Sequence, residues 1–573
     1  MKKTEIGEVH VERLDDIPVI LGLLQKMHIQ AVIDEMIDTH GNWQGLRPGW
    51  IITIWLVHIL SEHNHNMDRV RAWVSKRMKI LQALTGQTLD ELDFTDDRLA
   101  LCLRKLGEVD VWHRIEARLG SHLVRVYRLD TNPVVRLDAT TGSVNHDPEK
   151  HPLFQVGKAK NGHYETQYKL MLASLDPMGM PLAVDVAAGN RADDPLYLPV
   201  YRRAKQVFPE KGLLVVGDSK MSAFATRATI AAGEDFYLTP LADRKDEPGL
   251  LEDLLKPRMG REDEMEHIFL PEDEAVLDPK LAIGHGFEVT RDQGMEVDGE
   301  YISWQERLLV IRSHQYEKTI KKGLHNRLNK AEKALKALTP ARSRGKRQFK
   351  DETSLVAAIE RIEKKYRVTG LFDYTYEKEV SERQVRAYGG NPARTEKQVR
   401  FQLRIERNQE AIAAAEFVAG WRIYATNAPA ERLPLAQAVL AYRDQYIEEN
   451  IFRRLKGKLL SISPLHIQRD DHAKGLFHLL TLAARLLALG DHLAKENLAQ
   501  EETELSGIYP GNPKRSTATP TTERMLAAFD NINLTIVPAA GQLHYQVTSL
   551  TAVQKRILKL WELSETLYTQ FFA

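Results

Sequence analysis

The 573-residue chain predicts an α/β protein on three observations. From Pro133 onward, apolar runs of strand length alternate with stretches of helical spacing. Two of those runs end on an acid, at Asp138 and at Asp218. The first 130 residues carry helical spacing almost throughout, so a helical N-terminal domain precedes the mixed core.

Taken in order, Leu21 to Ile37, Pro48 to Ser61 and Glu91 to Leu106 read as helices, with a break at Asn64-His65-Asn66. Residues 1–130 then form a domain for DNA-end binding or dimerisation, or a packing module. Strands are expected at Val134–Ala139, Tyr168–Leu175, Pro181–Ala187, Leu213–Asp218 and Asp235–Pro240, with helices at Leu196–Val207 and Ala223–Ala232. Three strands, then helix, strand, helix, strand is the order of a ribonuclease-H-like core, here residues 131–240. In that order the first strand is central and the fourth lies beside it. Asp138 and Asp218 then meet at neighbouring strand ends, where open α/β sheets place their sites.

Residues 241–420 read as a mixed α/β insertion. It holds strands at Phe287–Val289, Glu306–Arg312, Phe372–Glu379 and Val399–Arg404, a long basic helix at Thr319–Leu338 and another at Leu355–Tyr366. The core resumes over 421–498 with the strand Trp421–Thr426, a helix from Leu435 to Lys456 and an apolar helix at Lys474–Leu493. A small C-terminal extension, 499–573, opens on a Gly/Pro/Ser/Thr-rich linker at Gln500–Thr522. It continues with short strands at Leu534–Val537 and His544–Val547 around Gly541, and a helix at Thr551–Thr569.

The single cysteine, Cys102, excludes an intrachain disulfide framework and a cysteine-based zinc site. Met1-Lys2-Lys3 leads into a polar stretch, so no secretory signal is expected. The apolar stretches Gly49–Leu60 and Leu476–Leu489 read as buried helices, and no membrane span is expected. Net charge is zero, but its distribution is not even: Tyr301 to Lys350 holds fourteen Lys/Arg against three acids, and Leu241 to Glu300 seven against eighteen. The basic segment is a phosphate-binding candidate, above all the helix Thr319–Leu338; alternatively the two segments pair with each other.

An acid at the end of a buried strand is costly unless it is paired, hydrogen-bonded or bound to a metal. A third acid, Glu449, stands on a helical stripe with Tyr442 and Lys456, seven residues away on either side. Seven residues is about two turns with a lag of roughly 20°. Two strand-end aspartates and a helical glutamate suit a two-metal phosphoryl-transfer site. Each has a plainer reading: Asp138 as a structural acid, Asp218 as the cap of the next turn, and Trp421 as a core tryptophan. The neighbouring Glu448 could be the ligand, but it breaks the stripe. His146 and His163 lack a partnered spacing and read as loop histidines.

These residues resemble the DDE transposases of the bacterial insertion-sequence-four superfamily, whose signature is Y-x2-R-x3-E-x6-K. Here it reads Tyr442, Gln445, Glu449, Lys456, with the spacing kept and three of four residue types matched. Asn161-Gly162-His163 to Gln167, then Asp176, Gly179, Pro181, Gly189-Asn190 and Asp193, resemble the stretch after the first catalytic aspartate. The resemblance implies a transposase that cuts at the element's terminal inverted repeats and joins the 3′-OH to target DNA. It implies two Mg²⁺ ions, replaceable by Mn²⁺, on Asp138, Asp218 and Glu449. Tyr442, Lys456, Gln445 and Arg453 would contact DNA, and Trp421 would stack on a flipped base. A homodimer in a synaptic complex, in the bacterial cytoplasm at the nucleoid, is the implied setting. Gln445 replaces the signature arginine, which leaves a second reading open: a catalytically impaired DNA-end-binding protein or transposition repressor. A nuclease of the same fold that cuts without strand transfer is a third.

Overall fold

The structure is a computed structural model that describes residues 8–159, 162–241, 249–276, 278–340, 348–387, 392, 394–462, 464–539 and 542–572. Asn161 and Gly541 lie outside the described residues. A short strand β1 (His10–Arg13) leads into helices α1 (Ile17–Lys26), α2 (Ile29–Met36), α3 (Pro48–Glu62), α4 (Met67–Ser75), α5 (Met78–Thr85), α6 (Asp96–Gly107) and α7 (Val109–Tyr127). Prolines in the first turns of α1 and α3, and Asp96 and Asp97 at the start of α6, suit helix N-termini. The predicted helix Leu21–Ile37 is two helices bent by 56°.

The sheet begins with β2 (Val134–Ser143), β3 (Gln155–Lys158), β4 (Tyr164–Leu175) and β5 (Met180–Ala188). Helix α8 (Tyr197–Val207), β6 (Leu214–Gly217), α9 (Phe224–Ala232) and β7 (Phe236–Pro240) follow. Beyond them come α10 (Leu250–Leu255), β8 (Glu266–Ile268) and the hairpin β9 (Gly284–Val297) and β10 (Glu300–Ser313). Next are α11 (His314–Lys336), α12 (Glu352–Tyr366), the ribbon β11 (Phe372–Val385) and β12 (Arg394–Arg407), α13 (Gln409–Phe417) and β13 (Trp421–Thr426). Across the sheet the order is β5-β4-β2-β6-β7-β13-β10-β9-β8, with β3 on the same edge of β4 as β5. Strands β2, β6 and β7 are parallel; β4 and β13 flank them antiparallel.

The insertion is therefore two things. Its hairpin β9–β10 is continuous with the main sheet, because Arg307–Arg312 pair with Thr426–Trp421. Only α11 to α13 and the ribbon keep an apolar core of their own, around Leu328, Leu335, Ile359 and Phe401. Asp351 and Asn408 cap α12 and α13 through their side chains.

After β13 the chain forms α14 (Leu435–Arg443), α15 (Tyr446–Lys456) and the long α16 (Asp470–Gln500). The tail adds β14 (Leu505–Ser506), β15 (Ser516–Thr517), α17 (Thr522–Ala527), β16 (Asn533–Ala539), β17 (Gln542–Val547), α18 (Ala552–Leu560) and α19 (Thr566–Thr569). Helix α16 is long and apolar enough to cross a membrane, yet 94% of that window is buried inside the protein. It crosses α6 at backbone contact: a Cβ on Gly475 would lie 1.9 Å from the Leu103 carbonyl oxygen. Glu116 of α7 accepts the Val184 N–H of β5 at 2.7 Å, and Arg485 of α16 donates to Leu182 O at 2.6 Å. At the far end β16 pairs with β1.

The segments 1–130 and 499–573 pack into one apolar core that runs from Leu14 through the sheet to Phe571. The sequence pattern gives each helix a buried face but does not say which neighbour covers it.

Candidate active site

Residues on alternate positions of a strand share a face. Val134 of β2, Leu214 and Val216 of β6 and Leu238 of β7 pack together under Leu435 and Ala438 of α14. Arg136 and Asp138, and Asp218 just past β6, continue those rows on the same face. The register pairs Leu137 with Gly217, so the two aspartates come next in adjacent parallel strands, about 4.8 Å apart between strands. Asp218 is held from two sides: its Oδ1 accepts from the Tyr197 hydroxyl at 2.6 Å and from the Lys220 N–H at 2.9 Å. The turn-capping reading of Asp218 and its place beside Asp138 hold together.

Arg136 is buried and ties this face to the helices. It donates to Asp176 at 2.8 Å and to Ala441 O, near the end of α14, at 2.6 Å. The expected single helix Leu435–Lys456 is broken there, with Asp444 and Gln445 between α14 and α15. Gly179, at φ +63°, brings its loop so close to α15 that a Cβ would meet Ile447 at 2.8 Å.

Helix α15 turns Ile447, Glu448, Ile451, Phe452 and Leu455 inward. Glu448 is 2% exposed. Burial, and then the Asp138 charge, push its carboxyl well above the usual carboxylate range; Arg136 opposes them, and Asp218 adds a smaller push in the same direction. Its Oε1 is buried with no hydrogen-bond partner in the described structure. The three charges also converge on Tyr197, whose phenol is pushed up by burial and then by Asp218, with smaller contributions from Asp138 and Glu448.

The structure therefore brings Asp138, Asp218 and Glu448 together, and it does not bring Glu449 to them. Glu449 is solvent-exposed. The reason is helical phase: Ile447, Ile451, Phe452 and Leu455 set the buried face, Glu448 lies near its centre, and Glu449 is rotated away by about 100°. That apolar spacing was the signal in the sequence, outweighed there by the stripe from Tyr442 to Lys456. Glu449 lines a groove of about 360 Å³ with Tyr442, Gln445, Tyr446, Arg422 and Tyr316. The Arg422 guanidinium lies 4.0 Å from the Tyr316 ring centroid, and Tyr424 packs 4.9 Å from Tyr442. Burial, then Tyr424, push the Tyr442 phenol up, with Asp218 and Asp138 adding to it.

Lys456 reaches β2, where its ammonium donates to Thr140 Oγ1 at 2.6 Å and Thr141 O at 2.7 Å, just beyond Asp138. Arg453, one turn beyond Glu449, is exposed and lines a neighbouring cavity. Trp421 is corrected: it is 5% exposed, edge-on to His285 at 5.5 Å, and cannot offer its face to a base from there. Its neighbours Gly420 and Arg422 line the groove instead. His146 Nε2 donates to Ile467 O inside the fold, and Cys102 is buried, its thiol pushed up to about 12 by burial.

Three carboxylates, one with an orphaned buried oxygen, are a donor set suited to a hard divalent cation. Among the described residues, no three acidic, histidine or cysteine side chains stand ready to enclose an ion as they are.

Acids gathered at the ends of adjacent central strands are a donor type that metal-assisted phosphoryl transfer uses. The family model for the transposase DDE domain matches residues 130–486, and the chain belongs to that family. It is a transposase, its partner is DNA, and DDE transposases use divalent metal ions. No curated protein matches the chain. Among solved structures the chain is similar to a piggyBac transposase in a synaptic complex with hairpin DNA. The identity is 8% and the TM-score 0.34, over 87% of this chain and 79% of that one.

Proposed function

We propose that the chain is an insertion-sequence transposase that cuts at the terminal inverted repeats of its element and transfers the 3′-OH into target DNA, with Mg²⁺ or Mn²⁺ held by Asp138, Asp218 and a glutamate of α15. The single observation that carries the reading is the meeting of Asp138 and Asp218 at adjacent parallel strand ends beneath the buried Glu448. The strand order, with β2 central and β6 beside it, supports a ribonuclease-H-like core. Asp138, Asp218 and the glutamate would together hold the ions. Bound ions supply charge neutralisation for the attacking and leaving oxygens of an in-line displacement.

The protein's own groups do the rest. Tyr197 fixes the Asp218 carboxylate. Lys456 holds a positive charge beside the strand that carries Asp138. The groove of Tyr316, Arg422, Tyr442 and Gln445 gives a strand end aromatic faces and donors. The exposed Lys318, Lys322, Lys330 and Lys333 of α11 continue a positive surface away from that groove. A homodimer that holds two element ends, at the bacterial nucleoid, completes the reading.

The glutamate has two readings. The geometry favours Glu448. Glu449 is favoured by the signature spacing to Tyr442 and Lys456 and would need α15 to turn when metal binds. One experiment separates them: purified protein, Mg²⁺ and a labelled duplex of the element end, with Glu448→Gln and Glu449→Gln beside wild type. Nicked and joined products lost only in Glu448→Gln support the geometric site; loss only in Glu449→Gln supports the signature. Binding by wild type without cleavage would favour the repressor reading, and nicking without joining the nuclease.

A further inference from the structure

We infer that the C-terminal extension, together with α15 and α16, forms a second basic groove that holds the phosphodiester backbone of the DNA as it leaves the carboxylate site. The inference rests on the transposase reading. The groove is a cavity of about 570 Å³ that borders the Tyr316–Arg422 groove along α15. Tyr446, 57% exposed, lines both cavities and forms the ridge between them. A strand leaving the first groove over that ridge therefore enters the second.

Its charge is arranged for an anion. The acids Asp491 and Glu523 are already engaged, because Arg454 bridges them at 2.6 and 2.7 Å and so ties α15 to α16 and α17. Four more cations line the cavity: Arg453 and Lys458 from α15 and the turn after it, Lys495 from α16, and Arg524 from α17. Among the described residues none of these four forms an ion pair. Arg524 is held in place by Tyr509, whose ring centroid lies 4.4 Å from its guanidinium. Glu496 is the one lining acid outside the Arg454 bridge. A concave site with four unpaired cations from three elements fits a polyanion better than a single small ion. It also gives the tail a role beyond closing the core.

The test uses the full chain and non-cleaving conditions, with EDTA present and a fluorescent random-sequence duplex as probe. Affinity is measured against salt for wild type, Lys458→Gln/Lys495→Gln and Glu496→Lys, each checked for an unchanged melting curve. The double variant should bind roughly tenfold or more weakly, with a log K versus log salt slope shallower by about 1.8, and Glu496→Lys should bind more tightly with a steeper slope. Unchanged slopes in both variants, with cleavage of element ends intact, overturn the groove and leave the transposase reading standing. No DNA binding or cleavage by wild type overturns both. Inorganic phosphate is titrated in parallel: loss of phosphate binding in the double variant with DNA binding unchanged marks a free-phosphate site and overturns the DNA assignment.

Discussion

The two faces of α15 teach more about this enzyme than either does alone. Glu448 and Glu449 are neighbours in sequence and identical in chemistry. One is buried against Asp138 with an unpartnered oxygen; the other stands in an open groove among tyrosines and an arginine. The inner face concentrates negative charge that needs a cation, and the outer face offers aromatic surface and donors for nucleic acid. A rotation of about 100° along a helix separates the two tasks.

The largest effect should come from breaking the inner face. Asp138→Asn, Asp218→Asn or Glu448→Gln should each lower the rate of end cleavage by about 10³-fold, the loss of several kcal/mol of transition-state stabilisation. Glu449→Gln should stay within about tenfold of wild type, the scale of one exposed polar contact. Single-turnover cleavage at saturating Mg²⁺ reads this directly. Equal losses at 448 and 449 would erase the distinction between the faces.

Tyr197→Phe comes next. It removes the 2.6 Å bond to Asp218 without changing the fold around the ring, so its cost is one of positioning. Metal-supporting partners of this kind typically contribute about 10–100-fold in metal affinity or activity. The Mg²⁺ concentration for half-maximal cleavage should rise while DNA affinity in EDTA stays put. A shift in DNA affinity instead would assign Tyr197 to the DNA surface.

On the outer face, Arg422→Gln should weaken DNA binding about fivefold to tenfold and make the salt slope shallower by roughly one, with cleavage of the bound complex preserved. A cleavage defect at saturating DNA would mean that the groove orients the scissile phosphate itself.

How much of this was legible beforehand follows from what each signal reports. Strand-length apolar runs ending on an acid located Asp138 and Asp218, because burial and acid cost are local properties. Trp421–Thr426 was legible as a strand for the same reason. The break at Asp444-Gln445 was not, since it goes with Arg136, 305 residues upstream of Ala441, donating to Ala441 O. Without that break the stripe from Tyr442 to Lys456 points to Glu449, whereas the buried face of α15 carries Glu448. The union of the two chain ends was hidden for a similar reason: β1 and β16 are each ordinary short strands until they pair. Trp421 read equally as platform or core, and only its contact with His285 decides.

The smallest effect sharpens the comparison through stability. Burial and Asp138 raise the folded pKa of Glu448 well above its ordinary 4.5. The folded state thus binds that proton more tightly than the unfolded chain does. The stabilisation is complete below about pH 4.5 and is lost as pH rises through the folded value. In EDTA, wild type should lose more stability between about pH 5 and pH 8 than Glu448→Gln, which carries no ionisable group at that position. Glu449→Gln should track wild type, because residue 449 stands in the open groove and not on the buried face of α15. His58 and His478, held down to about 4 and about 3 by burial, act with the opposite sign but are common to all three proteins and cancel in the comparison. Urea midpoints at the two pH values measure it, and added Mg²⁺ should flatten the wild-type dependence by giving the buried charges a partner. Parallel slopes in wild type and Glu448→Gln would mean that the inner carboxyl is no more burdened than the outer one, and the two faces of α15 would then differ in shape alone.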